Sequence, residues 1–352
     1  MTKSNFQLHS RPEYYQALIE HATAATAGDS LTLMTMNFDP RNAIIAKLVN
    51  ALRQAAQRGA TVRLFVDAMD LILDQNSRPG PLFYGRPLVA DGDGTAHDTF
   101  RVLEELKASG GHYWIINQPT KRYANPVAGR SHIKIAIFND LVYLGGCNLE
   151  NEDLIDMMVS WPDPAAAKWL YTMTEEIAVT GNVRQALHGT DRQFAVSDVA
   201  TILVDSGVKK QSIIYPAALK YIDQAKEFVT ITCQYFPGGP TARRLLAASK
   251  RGAQITIYFS GPKTHSQPLG HYLYNFRERL RMPAAFFTRQ LPATSQRLHA
   301  KLIVTDQAVI IGSHNYVNIG TNLGTAEIAL KVDDPAFARQ ALEKLATLLP
   351  EV

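Results

Sequence analysis

Residues 131–148 read SHIKIAIFNDLVYLGGCN, and residues 298–315 read LHAKLIVTDQAVIIGSHN. Each stretch sets a histidine two residues before a lysine, His132 and Lys134 in the first and His299 and Lys301 in the second. Each then runs through β-branched and apolar residues, turns at a polar pair (Asn139-Asp140; Asp306-Gln307), runs through apolar residues again and ends at an asparagine, Asn148 or Asn315. Two strand-like runs on either side of a short polar turn predict a β-hairpin. Residues two apart on a strand share a face, so the histidine and lysine of each copy are expected to point the same way.

The repetition extends upstream. SLTLMTMNF (30–38), AIIAKLVNALRQAAQRGA (43–60) and TVRLFVD (61–67) are answered by FVTITCQYF (228–236), TARRLLAASKRGA (241–253) and QITIYFSG (254–261). The shared unit is strand, helix, Arg-Gly-Ala, strand. Its middle piece has helical apolar spacing (Ile44, Leu48, Leu52), and Gly59 and Gly252 are placed to end the helices. Such units predict an α/β fold of two pseudo-twofold halves, each a mixed β-sheet flanked by helices. The halves are expected at 1–185 and 205–352, with a connector near 180–210 and a surface helix in PAFARQALEKLATLL. Arg58 lies 74 residues before His132, but Arg251 only 48 before His299. The 26 extra residues of the first half are assigned to the Gly/Pro-rich stretch SRPGPLFYGRPLVADGDG (77–94), read as a long loop.

Composition narrows the function. The 352 residues are 46% hydrophobic, enough for a sizeable core. No apolar run approaches the roughly 20 residues that span a bilayer, and MTKSNFQLHS has no signal-like apolar region. A cytoplasmic protein, possible at the membrane only as a peripheral contact, is the expectation. Two cysteines, Cys147 and Cys233, exclude a disulfide framework and a four-cysteine zinc site. Lys+Arg against Asp+Glu is 16 to 19 over residues 1–175 and 20 to 13 over 176–352. The basic second half suits an anionic partner, and equally suits ordinary solvated charge. No metal-ligand spacing is present, and Gly-Asp-Gly at 92–94 lacks the rest of a nucleotide loop.

Two His-Lys pairs meeting at a pseudo-twofold axis suit phosphoryl transfer on a diester. One imidazole attacks phosphorus, the other moves the proton of the leaving and entering oxygen, and lysines and asparagines hold the non-bridging oxygens. That fixed positive environment makes a metal or other cofactor unnecessary. Asp156 in DLIDMMVSW and Glu327 in AEIALKV are acids in apolar company, costly to bury unless paired, and are candidates to orient the imidazoles.

These residues resemble the signature of the phospholipase D superfamily, His-x-Lys-x4-Asp followed by Gly-Gly or Gly-Ser, then x-Asn. The second copy matches throughout with His299, Lys301, Asp306, Gly312, Ser313 and Asn315, followed by Glu327. The first matches at His132, Lys134, Gly145, Gly146 and Asn148, followed by Asp156, but has Asn139 where the family has Asp. The resemblance implies a site at the interface of the halves, with His132 as nucleophile, His299 as acid/base, and Gly146 and Ser313 as substrate contacts. In the family the motif Asp mainly supports the structure. The layout is most similar to bacterial cardiolipin synthase-type enzymes, which implies an anionic phospholipid substrate and a monomer that is an internal pseudo-dimer. HYLYNFRERLRMPAAFFTRQ (271–290) mixes Arg with Tyr and Phe; it suits an anionic bilayer surface or an ordinary helix packed on the core. A superfamily nuclease or DNA-end-processing phosphodiesterase is the alternative, since the chemistry is the same and the Arg and aromatic residues suit single-stranded nucleic acid. A non-catalytic anion-binding scaffold would leave both His-Lys pairs without a purpose. His265 and His271, in a Pro-rich loop, are either solvent-exposed or substrate-positioning.

Overall fold

The computed structural model describes residues 5–69, 71, 95–118, 128–150, 154–260, 268–283, 286–291 and 297–349. The stretch 77–94 and His265 lie outside them.

A seven-stranded sheet holds β1 (Gln7–Ser10), β2 (Ser30–Thr35), β3 (Thr61–Asp67), β4 (His112–Ile116), β5 (Ile135–Phe138), β6 (Leu141–Gly145) and β8 (Met157–Pro162). An eight-stranded sheet holds β9 (Arg192–Ala195), β10 (Ala200–Ser206), β11 (Phe228–Cys233), β12 (Gln254–Ser260), β13 (Phe287–Leu291), β15 (Lys301–Thr305), β16 (Val309–Gly312) and β17 (Ala326–Val332). The strand orders correspond: β4-β3-β2-β5-β6-β8-β1 against β13-β12-β11-β15-β16-β17-β10, with β9 added at the edge. In both sheets the strands of the strand-helix-strand units pair in parallel and the histidine hairpins pair antiparallel. The segment read as a connector, 180–210, therefore contains two strands of the second sheet, β9 and β10.

The sheets pack face to face. Ile135 and Ile137 of β5 join Leu302 and Val304 of β15 in one apolar cluster shared by both sheets. The alternate residues, Ala136 and Phe138 or Ile303, point outward into two separate clusters. The outer layers are helical: α1 (Arg11–Ala24), α2 (Ala43–Gln57) and α3 (Thr95–Ala108) on one side, α6 (Ile214–Gln224) and α7 (Gly239–Lys250) on the other. Between them in sequence lie α4 (Pro164–Thr180) and the single turn α5 (Val183–Ala186). Then follow α8 (Pro268–Arg279), α9 (Asn318–Leu323) and the C-terminal α10 (Pro335–Leu348), which buries Phe337, Ala338, Ala341 and Leu345. Strands covered on both faces need the near-continuous apolar runs the hairpins have.

The Arg-Gly-Ala repeat has a local cause. Gly59 and Gly252 adopt φ of 93° and 103°, the left-handed conformation that lets the chain leave a helix and enter a strand. The arginine before each glycine caps a neighbouring helix: Arg58 donates to the carbonyls of Ala22, Thr23 and Ala25 at the end of α1, and Arg251 donates to that of Ile222 in α6. Arg58→Ala orphans three carbonyls at once. A loss of about 2 kcal/mol is expected, seen as a lower urea midpoint at unchanged slope.

Candidate active site

The two halves exchange strand ends at their contact. Two-residue β14 (Arg297–Leu298), just before His299, pairs in parallel with β7 (Leu154–Ile155), just before Asp156. On the other side Ser131 bridges Ala326 in parallel, just before His132 and Glu327. Backbone hydrogen bonds carry the register one step further, His299 N to Ile155 O at 2.8 Å and His132 N to Ala326 O at 2.7 Å. Each histidine is thereby delivered to the acid of the opposite half. His299 Nδ1 lies 2.6 Å from Asp156 Oδ2, and His132 Nδ1 lies 3.0 Å from Glu327 Oε1. The first contact is an aligned hydrogen bond. The second is a close contact in which His132 Nδ1 has no aligned hydrogen-bond partner among the described residues.

Lys134 and Lys301 are anchored to the backbone of their own histidines. Each donates from Nζ to the carbonyl of its own histidine, His132 or His299. Both are buried, and each feels both acids. Burial lowers the Lys134 ammonium, and brings Lys301 down to about 7 against the pull of Asp156 and Glu327. Burial alone would raise Asp156, but Lys301, His299 and Arg11 hold it well below the usual carboxylate range. Glu327 is likewise held low against its burial, by His132, His314 and Lys134. Burial, with the Lys301 ammonium beside it, outweighs Asp156 and takes the His299 imidazolium down to about 4. An ionised Asp156 facing a neutral ring fixes the proton on Nδ1, so Nε2 of His299 keeps its lone pair.

The remaining motif residues divide. Asn148 donates to Glu150 Oε1 at 2.7 Å and accepts from the Asn37 amide. Asn315, its counterpart, has a buried Oδ1 with no hydrogen-bond partner among the described residues. Ser313 is fully buried; its hydroxyl donates to Glu327 and accepts from Ile328 N at 3.0 Å. Gly146 abuts the other acid: a Cβ there would stand 2.2 Å from Asp156 Oδ1. Gly146→Ala should therefore push Asp156 off His299. A fall in kcat of about 100-fold or more is expected, with KM changed far less, by steady-state kinetics.

Asp306 is not brought to the histidines. It lies in the β15–β16 turn, about five strand residues or roughly 16 Å from Lys301, and accepts from the Lys226 and Glu227 amides just before β11. Asn139 does the same work in the first half. It accepts from the Ser30 amide that opens β2 and donates to Asp29, at φ 53°. Asparagine tolerates that left-handed conformation better than most residues. Asn139→Asp is expected to leave kcat within about twofold, while Asn139→Ala, which loses both bonds at a strained φ, lowers the melting temperature by a few degrees.

Several residues at the site carry no sequence signal of their own. Arg11, at the start of α1, is fully buried 3.5 Å from Asp156 and 3.0 Å from the Tyr15 hydroxyl. Glu150 accepts from Asn148 and Asn37 and is held low, against its burial, by Arg11 and His299. Asp67, at the end of β3, accepts from the Ser131 and Met69 amides and from Asn117, and so fixes the approach to His132. His271 opens α8 in a segment whose side chain is outside the described residues. No group of three or more His, Cys, Asp or Glu among the described residues is arranged to hold a metal.

Residues 218–349 match the family model described as the cardiolipin synthase, PLD-like domain. The solved phosphatidylserine synthase of Haemophilus influenzae Rd KW20 superposes over 99% of this chain and 86% of its own, with a TM-score of 0.72 and 14% identity. The polyphosphate kinase of Porphyromonas gingivalis superposes over 98% of this chain and 50% of its own, with a TM-score of 0.58 and 14% identity. Such identities speak to fold and not to substrate. No curated protein sequence matches the chain. Residues 218–349 carry the family-model match, and the first half repeats the strand order of the second.

Proposed function

We propose that the protein is a metal-independent phosphatidyl transferase or phosphodiesterase of the cardiolipin synthase or phospholipase D type, acting on anionic phospholipids. The observation that carries this reading is the crossed pair of imidazole–carboxylate contacts, His132 with Glu327 and His299 with Asp156, joined by two buried lysines bonded to the histidine carbonyls.

One imidazole Nε2 attacks phosphorus while the P–O bond to the leaving alcohol breaks, and the other ring, protonated, gives its proton to that oxygen. The second ring, now neutral, takes the proton of water or an alcohol. That oxygen attacks phosphorus, the P–N bond breaks and the first imidazole is released. Lys134 and Lys301, with Asn148 and Asn315, face the non-bridging oxygens; a bound diester anion restores full charge to lysines that burial has depressed. Contacts with the two acids give Ser313 and Gly146 a positioning role here in place of a substrate contact. Asp306 holds a turn. No described helix is long and apolar enough to cross a membrane, so contact with the lipid surface is peripheral on this reading. The internal pseudo-dimer completes the site within one chain.

The test is product analysis with phosphatidylglycerol vesicles in excess chelator, beside a single-stranded DNA sample. Cardiolipin or phosphatidic acid is the expected product, and which forms shows whether alcohol or water is the acceptor. Cleaved DNA with untouched lipid would replace this reading with the nuclease one.

A further inference from the structure

Helix α8 is built inside out. Among its described side chains the two buried ones are polar, Asn275 at 4% exposure and Glu278 at 2%. Its outward residues are Leu273, Phe276 and Leu280, at 55%, 49% and 70%. Among the described residues only six large apolar side chains are exposed, and half of them are these three. The spacing of 273, 276 and 280 lines them up as one stripe. Leu280 stays in register because its amide still bonds the Phe276 carbonyl at 3.0 Å.

The stripe has a charged border. Arg277 and Arg281 stand one turn apart beside it, each 61% exposed, with Glu278 bridging them from below. Arg279 is exposed as well, so three arginines face one glutamate.

The helix is also in a telling place. Asn275 accepts from the Phe236 amide, just beyond β11, and donates to the carbonyl of Ser260, the last residue of β12. β11 runs antiparallel to β15, with Thr232 opposite Leu302, and the Thr232 hydroxyl bonds the Ala300 carbonyl. The end of the sheet that α8 covers is thus the end where His299 and Lys301 begin.

We propose that the Leu273–Phe276–Leu280 face of α8, bordered by Arg277, Arg279 and Arg281, seats the protein on an anionic lipid bilayer with the cleft turned toward the headgroups. The proposal deepens the phospholipid reading above and rests on it. Aliphatic side chains gain by entering the acyl boundary while arginines stay among the phosphates. A single-stranded nucleic-acid groove needs the reverse arrangement, cations along the centre and aromatic faces for stacking. A second copy of the chain would set arginine against arginine.

The full chain is tested by co-sedimentation with phosphatidylglycerol vesicles and with phosphatidylcholine vesicles. The wild type is expected on the anionic vesicles, and less so at about 0.5 M salt. Leu273→Ser/Phe276→Ser/Leu280→Ser, whose changes lie on exposed positions, should bind about tenfold more weakly or worse. Arg279→Glu should weaken binding without touching the stripe. Turnover of monomeric short-chain phosphatidylglycerol by the triple variant should stay within about twofold of wild type while vesicle turnover falls about tenfold. If no lipid is turned over at all, the phospholipid chemistry has failed, and vesicle binding still decides the docking face. Undiminished vesicle binding by the folded triple variant overturns the proposal. So does a wild-type dimer that the triple variant abolishes, or single-stranded DNA binding lost in that variant when no vesicle is bound.

Discussion

His132→Ala and His299→Ala are each expected to lower kcat on phosphatidylglycerol by roughly four orders of magnitude or more, and the double variant to lose little beyond either single one. In the proposed mechanism the two rings act in one proton and phosphoryl cycle, so removing either stops it. The variants separate on a second substrate. A diester with a p-nitrophenol leaving group needs no proton for departure, because the phenolate is already stable. The variant lacking the acid should then still release a burst of p-nitrophenolate, and the variant lacking the nucleophile should not. The family resemblance gives the attack to His132. The neutral, aligned His299, held at about 4, is equally equipped for it. The burst assigns the roles. Equal, wild-type-like turnover in either alanine variant would end the covalent mechanism.

What could be read from the chain, and what could not, divides by range. The hairpins were legible because a period-two pattern and a polar turn are local, and the second copy repeated them at matching positions. Asp156 and Glu327 stood out because a lone carboxylate in an apolar strand is costly unless something answers its charge. Which ring answers which acid was not legible. That choice is made by the parallel pairing of β14 with β7 and the bridge of Ser131 with Ala326, contacts made across the chain's two halves. Arg11 was hidden for a different reason. Ser10 and Glu13 form a capping box, and an arginine in the first turn of a capped helix is ordinarily solvated; here the helix end points into the site. β9 and β10 were read as connector because both lie outside the strand-helix-strand unit repeated in the sequence; β10 takes the place that β1 has in the first sheet, and β9 is an added edge strand. The Asn139 departure becomes intelligible only when its bonds to Asp29 and Ser30 are visible, since Asn and Asp both accept a backbone amide.

Asp156→Asn should be the most damaging change that leaves both histidines in place. The carboxylate stands at the centre of His299, Arg11 and Lys301. In the proposed mechanism its charge stabilises the imidazolium that forms when His299 takes a proton, and its oxygen, 2.6 Å from the ring, fixes the proton on Nδ1. An asparagine offers no charge and can present its amide instead, favouring the wrong tautomer. Losses of about 10³- to 10⁴-fold in kcat are expected, by analogy with acid–histidine pairs generally. For stability, removing the negative partner leaves buried cations uncompensated, a cost of about 3–5 kcal/mol. The pH dependence tells this cost from a loose structure. Asp156 is depressed in the folded state, so its contribution is fully present above the unfolded carboxylate value and lost as pH falls through the folded one. The wild type's advantage over Asp156→Asn in denaturation midpoint should thus be full at about pH 6 and shrink progressively below about pH 4. An advantage that held constant down to about pH 2 would mean that Asp156 is not ionised in the fold, and would remove the charge from the account of His299.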